Sequence, residues 1–255
     1  MERIIRELKG HSGSIVELIE NEDGIFVRKT HNVDRNHERL TALDPWVRVP
    51  EIYLYNEYDE LLEMEYIFGN DMKSYLLYNT TLDLKTFLIG TIATFQNSHE
   101  TSKDYSRDYF KFLDWVDDTN DFGFTAEQIF HALPKRLPQS VYHGDFTLEN
   151  IIHSSADDDF VLIDPVTVPF DSWVFDVAKL RQDLDCKWFI RGSNLSLQLD
   201  HKLLDIRQDL LELFPDGFHD SLLILMLLRV YKHCTIDSPE YPFIVREINK
   251  LWSKI

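Results

Sequence analysis

The apolar pattern changes from strand-like to helical at Phe68-Gly69, and that change limits the folds open to the chain. Before it, short strands alternate with polar turns. Arg3 to Leu8, Ile15 to Glu20, Ile25 to Lys29, Ile52 to Tyr55 and Leu61 to Ile67 are predicted strands. Asn21 to Gly24 reads as a hairpin turn, because Gly24 tolerates positive φ. One polar helix, roughly Val33 to Leu43, is stopped by Asp44-Pro45. After Gly69 the spacing is helical. Leu84, Phe87, Leu88, Ile92 and Phe95 share one face behind Asp83 as N-cap, and Tyr109 to Val116 and Ala126 to Leu133 suggest further helices. Val141 to Asp164 interrupts this with a loop, a short strand at Ile151-Ile152, an acidic turn and a strand from Phe160 to Ile163. Helices return from about Phe175. The pattern predicts an α+β chain. A small antiparallel sheet with one helix forms an N-terminal lobe over residues 1–68, and a mainly helical C-terminal lobe covers 69–255. A cleft between two such lobes is a usual place for a ligand.

Composition narrows the function. With 44% hydrophobic and 13% aromatic residues, the 255-residue chain has the material for a real core. Its formal net charge of −18 argues against nucleic-acid binding, which needs Lys and Arg to replace phosphate counterions. The same charge argues against docking on an anionic membrane. Cys186 and Cys234 have neither disulfide-framework nor zinc-ligand spacing. The start, MERIIRELKG, lacks the apolar core of a signal peptide. The longest apolar run, Leu222 to Leu228, falls short of the roughly 20 residues of a membrane span and reads as a buried helix. A cytoplasmic location is expected. Oligomeric state is not encoded in any feature of the sequence.

The chemistry concentrates in His143-Gly144-Asp145-Phe146-Thr147-Leu148-Glu149-Asn150, followed fourteen residues later by Asp164 at the end of Val161-Leu162-Ile163. Phosphoryl transfer from a nucleotide needs a carboxylate that orients the attacking hydroxyl, a carboxylate and an amide that hold Mg²⁺, and a lysine on the phosphates. Asp145 is the candidate base, and Asn150 and Asp164 are the candidate metal ligands, both hard oxygen donors of the kind Mg²⁺ prefers. An acidic hairpin between Asn150 and Asp164 would return the chain to the same ion.

This segment resembles the catalytic signature of the aminoglycoside phosphotransferase and choline kinase superfamily, which shares the protein-kinase-like fold. The resemblance covers roughly residues 3 to 190 and implies ATP or GTP with Mg²⁺ as cofactors and a small hydroxylated molecule as acceptor. It implies that Gly10, Ser12, Gly13 and Ser14 cover the nucleotide, that Lys29 binds phosphate, and that Glu38 fixes Lys29. Glu65, Tyr66 and Ile67 would be the hinge that meets the base, and Asp176 would help hold the catalytic region together. His143 is then a loop-holding residue.

Departures from protein kinases bear on the substrate. Pro165 follows the metal aspartate, and no activation-segment signature comes after it. A protein Ser/Thr kinase and a non-catalytic nucleotide-binding module of the same fold remain as alternatives. Glu38 has rivals in Glu7, Glu51 and Glu63. For the acceptor, a sugar or amino sugar is expected, with Trp115 and Trp173 offering flat faces and Asp118 and Asp171 offering acceptors. Core packing for the tryptophans, and a solvated helix end for the acids, are the plainer readings.

Overall fold

A computed structural model of the chain describes residues 2–8, 14–99, 101–191 and 197–255. In chain order the elements are β1 (Arg3–Leu8), β2 (Ile15–Asn21), β3 (Gly24–Thr30), α1 (Asp34–Leu43), β4 (Ile52–Asn56), β5 (Leu61–Glu65), β6 (Gly69–Asp71), α2 (Met72–Tyr78), α3 (Leu82–Asn97), β7 (Thr101–Asp104), α4 (Ser106–Leu113), α5 (Ala126–Ala132), β8 (Arg136–Gln139), β9 (Ile151–Ser154), β10 (Asp159–Leu162), α6 (Trp173–Leu184), α7 (Leu197–Leu213), α8 (Asp220–Tyr231) and α9 (Glu240–Trp252). They fall into two compact units. One comprises residues 1–78 and 149–167, the other 79–148 and 168–255. Among the described residues no helix is long and apolar enough to cross a membrane.

The first unit is built on an antiparallel sheet in the order β1-β2-β3-β5-β4. Asn21 closes the β2–β3 hairpin, its side-chain oxygen accepting the Asp23 and Gly24 N–H groups at 2.9 and 3.1 Å, while Gly24 sits at φ +137° as the turn requires. A second sheet, β10-β9-β6, carries the acidic hairpin. Gly69 makes this sheet possible. A Cβ there would lie 2.0 Å from the His153 carbonyl oxygen, so only glycine permits the close approach of β6 to β9. Asp71 then starts α2 by accepting the Ser74 N–H at 2.8 Å, and Tyr75 packs on His153 and Phe160. These units therefore divide elsewhere than at residues 68 and 69: β6, α2 and the hairpin belong with the first sheet.

The second unit is helical. All twelve residues of α6 are buried, although four of them are charged: Asp176, Lys179, Arg181 and Asp183. Buried charges persist only when paired and hydrogen-bonded, which makes α6 a scaffold as well as a core element. It packs against α8, whose run Ser221 to Leu228 is buried as its apolar sequence predicts. Asp205 of α7 ties down the start of α3, accepting from Thr81 at 2.5 Å and from Lys85 at 3.2 Å. Thr125 and Gln128 form a reciprocal capping box at α5. A two-stranded pair, β7 with β8, was not expected from the pattern. Its segments TSKD and RLPQ lack alternation, and Pro138 is tolerated because the pair has only edges.

Candidate active site

Asp145 lies in a loop that one face of α6 holds in place. Asp176 accepts the backbone N–H groups of His143 at 2.5 Å and Gly144 at 2.8 Å. Lys179 places its Nζ 3.0 Å from Asp145 Oδ1. Asp183 accepts the Leu148 N–H at 2.7 Å. Steps of three and four residues put these side chains on the same helical face, so one helix grips the loop at successive points. All three are buried, at 2%, 5% and 0% exposure. From α8, Arg229 donates to the Gly144 carbonyl at 2.9 Å. Gly144 itself adopts φ +85°, a conformation that favours glycine. His143 is fully buried and its Nδ1 accepts the Asp145 N–H at 3.3 Å, a structural role.

The electrostatics follow from these neighbours. Burial opposes ionisation of Asp145, but the charges of Lys179 and Arg229 outweigh it and hold the carboxyl below the usual carboxylate range. Asp145 is thus ionised at neutral pH, with its side chain 34% exposed. Lys179, Asp183 and Arg229 escaped the sequence reading. Lys179 and Asp183, with Asp176, are charges at i, i+3 and i+7 of one helix, a spacing that shares a face but looks solvent-exposed until the helix is seen to be buried.

In the first unit, Lys29 lies near the end of β3 and is 6% exposed. Its ammonium pairs with the Asp164 carboxylate and lies 3.4 Å from Asn36 Oδ1. Asn36 also donates to the Pro165 carbonyl at 2.8 Å. Asp164 follows β10 at φ +52°, a left-handed conformation that costs a non-glycine residue about 1–2 kcal/mol. The Asn150 carbonyl accepts the Ile163 N–H at 3.0 Å, so Asn150 and Asp164 emerge at the same end of the β9–β10 hairpin. An amide and a carboxylate oxygen form a donor set that fits Mg²⁺. Among the described residues no cluster of three or more His, Cys, Asp or Glu could hold a metal. Mg²⁺ bound to a nucleotide needs no such cage, since phosphate and water supply its other ligands.

Glu38 is not the partner of Lys29 in this structure. It is exposed, and the partner on α1 is Asn36. The two are separated by two residues, which places them on different sides of the helix. Glu65 pairs with Arg48 at 2.6 Å and accepts the Glu51 N–H at 3.1 Å, and Tyr66 and Ile67 follow it directly. Ser14 donates to the His31 carbonyl at 2.8 Å. Gly10, Ser12 and Gly13 lie outside the described residues.

The expected acceptor face separates into two places within the second unit. Trp115 stacks on Tyr231 with centroids 5.5 Å apart and planes at 6°. Tyr231 and Tyr241 both donate to Asp121, and these bonds lead in holding the Asp121 carboxyl below its usual range. Tyr231 ends α8 two residues after Arg229, so this cluster lies at the end of α8 that reaches Gly144. Asp118 is exposed nearby in sequence. Trp173 is instead in the core, 2% exposed and packed against Phe214, where no ligand ring can stack without repacking. Asp171 accepts from Lys103 at 2.5 Å, Tyr105 at 3.0 Å and Gln139 at 2.6 Å, a set that ties the β7–β8 pair to the start of α6.

The chain is similar in fold to several solved phosphotransferases. A thermostable mutant of aminoglycoside phosphotransferase APH(4)-Ia, in a ternary complex with AMP-PNP and hygromycin B, matches with a TM-score of 0.69 and 9% identity, over 96% of this chain and 92% of that one. A candidate fructosamine-3-kinase from Haemophilus somnus 129PT matches with a TM-score of 0.66 and 16% identity, over 100% and 91%. The choline kinase LicA from Streptococcus pneumoniae matches with a TM-score of 0.56 and 13% identity, over 99% and 95%. No curated protein sequence matches the chain. These likenesses establish the α+β, protein-kinase-like fold class anticipated from the strand and helix pattern. The model of the phosphotransferase enzyme family matches residues 21–198, which include β3, β4 and β5 of the first sheet, the Asp145 loop, the hairpin and α6. The chain belongs to the phosphotransferase enzyme family.

Proposed function

We propose that the chain transfers the γ-phosphoryl group of ATP to a hydroxyl of a small molecule, with Asp145 as the base. The observation that supports this most is the hold of α6 and α8 on the Asp145 loop, which keeps an ionised carboxylate in one place. Phosphoryl transfer gains most from positioning and charge neutralisation, so a fixed carboxylate is the part this chemistry requires. The acceptor hydroxyl donates to Asp145. As its oxygen bonds to the γ-phosphorus, the proton passes to Asp145 and the bond to the β-phosphate oxygen breaks, releasing ADP. Lys29 exchanges Asp164 for phosphate oxygens. Asn150 and Asp164 would hold Mg²⁺, which neutralises phosphate charge when bound. The backbone of Tyr66 and Ile67 meets the base, an arrangement open to ATP and GTP. Such an enzyme draws on the cytoplasmic nucleotide pool.

The acceptor is a sugar or amino sugar. The flat Trp115–Tyr231 pair suits a sugar ring, and Asp118 with Asp121 suits hydroxyl and amine groups. Relatives crystallised with hygromycin B or named for fructosamine agree with that chemistry. The test is transfer from labelled ATP, or GTP, to a panel of amino sugars, neutral sugars, choline, sugar phosphates and proteins. Amino sugars are expected to accept best. Labelling confined to choline or anionic compounds would overturn the acceptor, and labelling of protein alone would overturn the small-molecule reading.

A further inference from the structure

Of the α6 side chains that grip the catalytic loop, Asp176 and Asp183 bind backbone, whereas Lys179 binds the carboxylate of Asp145 itself. A lysine at 5% exposure is costly to bury, and apolar neighbours Ala178 and Leu180 show that the helix needs no charge there for packing. Arg229, the other cation facing Asp145, spends a guanidinium hydrogen bond on the Gly144 carbonyl. His143 on its own loop also faces Asp145, and Asp176 lies beside Arg229.

We infer that Lys179 is a positioning residue for the proposed transfer: it fixes the direction of the Asp145 carboxylate and keeps it charged, ready for the acceptor proton. This rests on Asp145 acting as base. A lysine that merely balanced charge in the core would shift the titration of Asp145 as well, so the readout that separates the two roles is turnover of the folded variants at unchanged MgATP affinity. Lys179 and Asp145 are linked by an ion pair 3.0 Å long, and the shift of Asp145 toward the charged form has the Lys179 charge as its leading favourable cause.

The experiment follows the side-chain carboxyl carbon of Asp145 by NMR through a pH titration, its signal identified by its loss in Asp145→Asn. In the wild type the group stays ionised at neutral pH and below the ordinary carboxylate midpoint. In Lys179→Met the midpoint is expected to rise by about one unit or more, a tenfold gain in proton affinity. Lys179→Gln, also uncharged and of similar reach, serves should the methionine variant not fold, and Lys179→Arg is expected to restore the low midpoint. With water as acceptor, hydrolysis of MgATP should fall about tenfold to a hundredfold in kcat in the uncharged variants, while MgATP affinity by calorimetry holds. An unchanged Asp145 midpoint, or unchanged hydrolysis, in either folded uncharged variant overturns the inference. Failure of the base reading is separate: it shows as near-normal hydrolysis by Asp145→Asn.

Discussion

The two halves of the candidate chemistry are built differently. Asp145 belongs to a loop tied by buried groups, with Asp176, Lys179 and Asp183 of α6 and Arg229 of α8 at its attachments. Asp164, in the other unit, is half exposed and sits in a left-handed conformation, and among the described residues it pairs with Lys29. The first arrangement gives up freedom to gain position. In the proposed reaction the second keeps contacts that a nucleotide would replace: a phosphate would take over the lysine, and the freed carboxylate would face a cation. Asp145 is thus fixed before any ligand arrives, whereas Asp164 and Lys29 are bound mainly to each other.

Breaking the fixed half should have the largest effect on the fold. Asp176→Ala leaves two buried N–H groups without their acceptor, at about 1–3 kcal/mol each. Thermal unfolding should show a loss of several degrees in Tm, with turnover lost as well. A Tm within a degree of wild type would mean that the loop does not depend on α6. The replaceable half should respond in binding instead. Asp164→Ala should weaken nucleotide binding far more with Mg²⁺ than without it, measured by calorimetry in both conditions. Equal losses would remove Asp164 as a metal ligand.

Lys29→Ala comes next. It removes a charge-assisted contact worth about 1.5–3 kcal/mol, so nucleotide affinity and rate should both fall, while Tm stays near wild type. A collapse in Tm would make Lys29 structural. The smallest effect belongs to Glu38→Ala, within about 0.5 kcal/mol in stability and without change in nucleotide affinity, because Glu38 faces water. A loss in affinity as large as that of Lys29→Ala would show that Glu38 replaces Asn36 beside Lys29 when nucleotide binds.

Much of this was legible in the sequence, for identifiable reasons. HGDFTLEN and VLID carry residue types whose chemistry is restrictive and whose spacing is fixed by a hairpin. The five strands of the first sheet are short apolar-rich runs bounded by turn residues, so their pattern is local. What stayed hidden depends on tertiary partners. Gly69 reads as a break between domains, and only its approach to the His153 carbonyl shows it to be a strand residue. Lys179 and Asp183 read as ordinary helical charges until α6 proves buried on every side. Trp173 and Trp115 look alike in sequence, yet one packs in the core against Phe214 and the other stacks on Tyr231. The choice between Asn36 and Glu38 is a matter of helix phase, which the strand-end lysine does not specify.

In the proposed reaction the fixed carboxylate at Asp145 performs the transfer, while nucleotide binding rests on other residues. The most direct test compares wild type and Asp145→Asn for γ-phosphate transfer from labelled ATP to the best acceptor, with MgATP affinity measured on the same samples. A loss of about 10²–10⁴-fold in turnover is expected, with affinity nearly unchanged. Near-normal turnover by Asp145→Asn would contradict it.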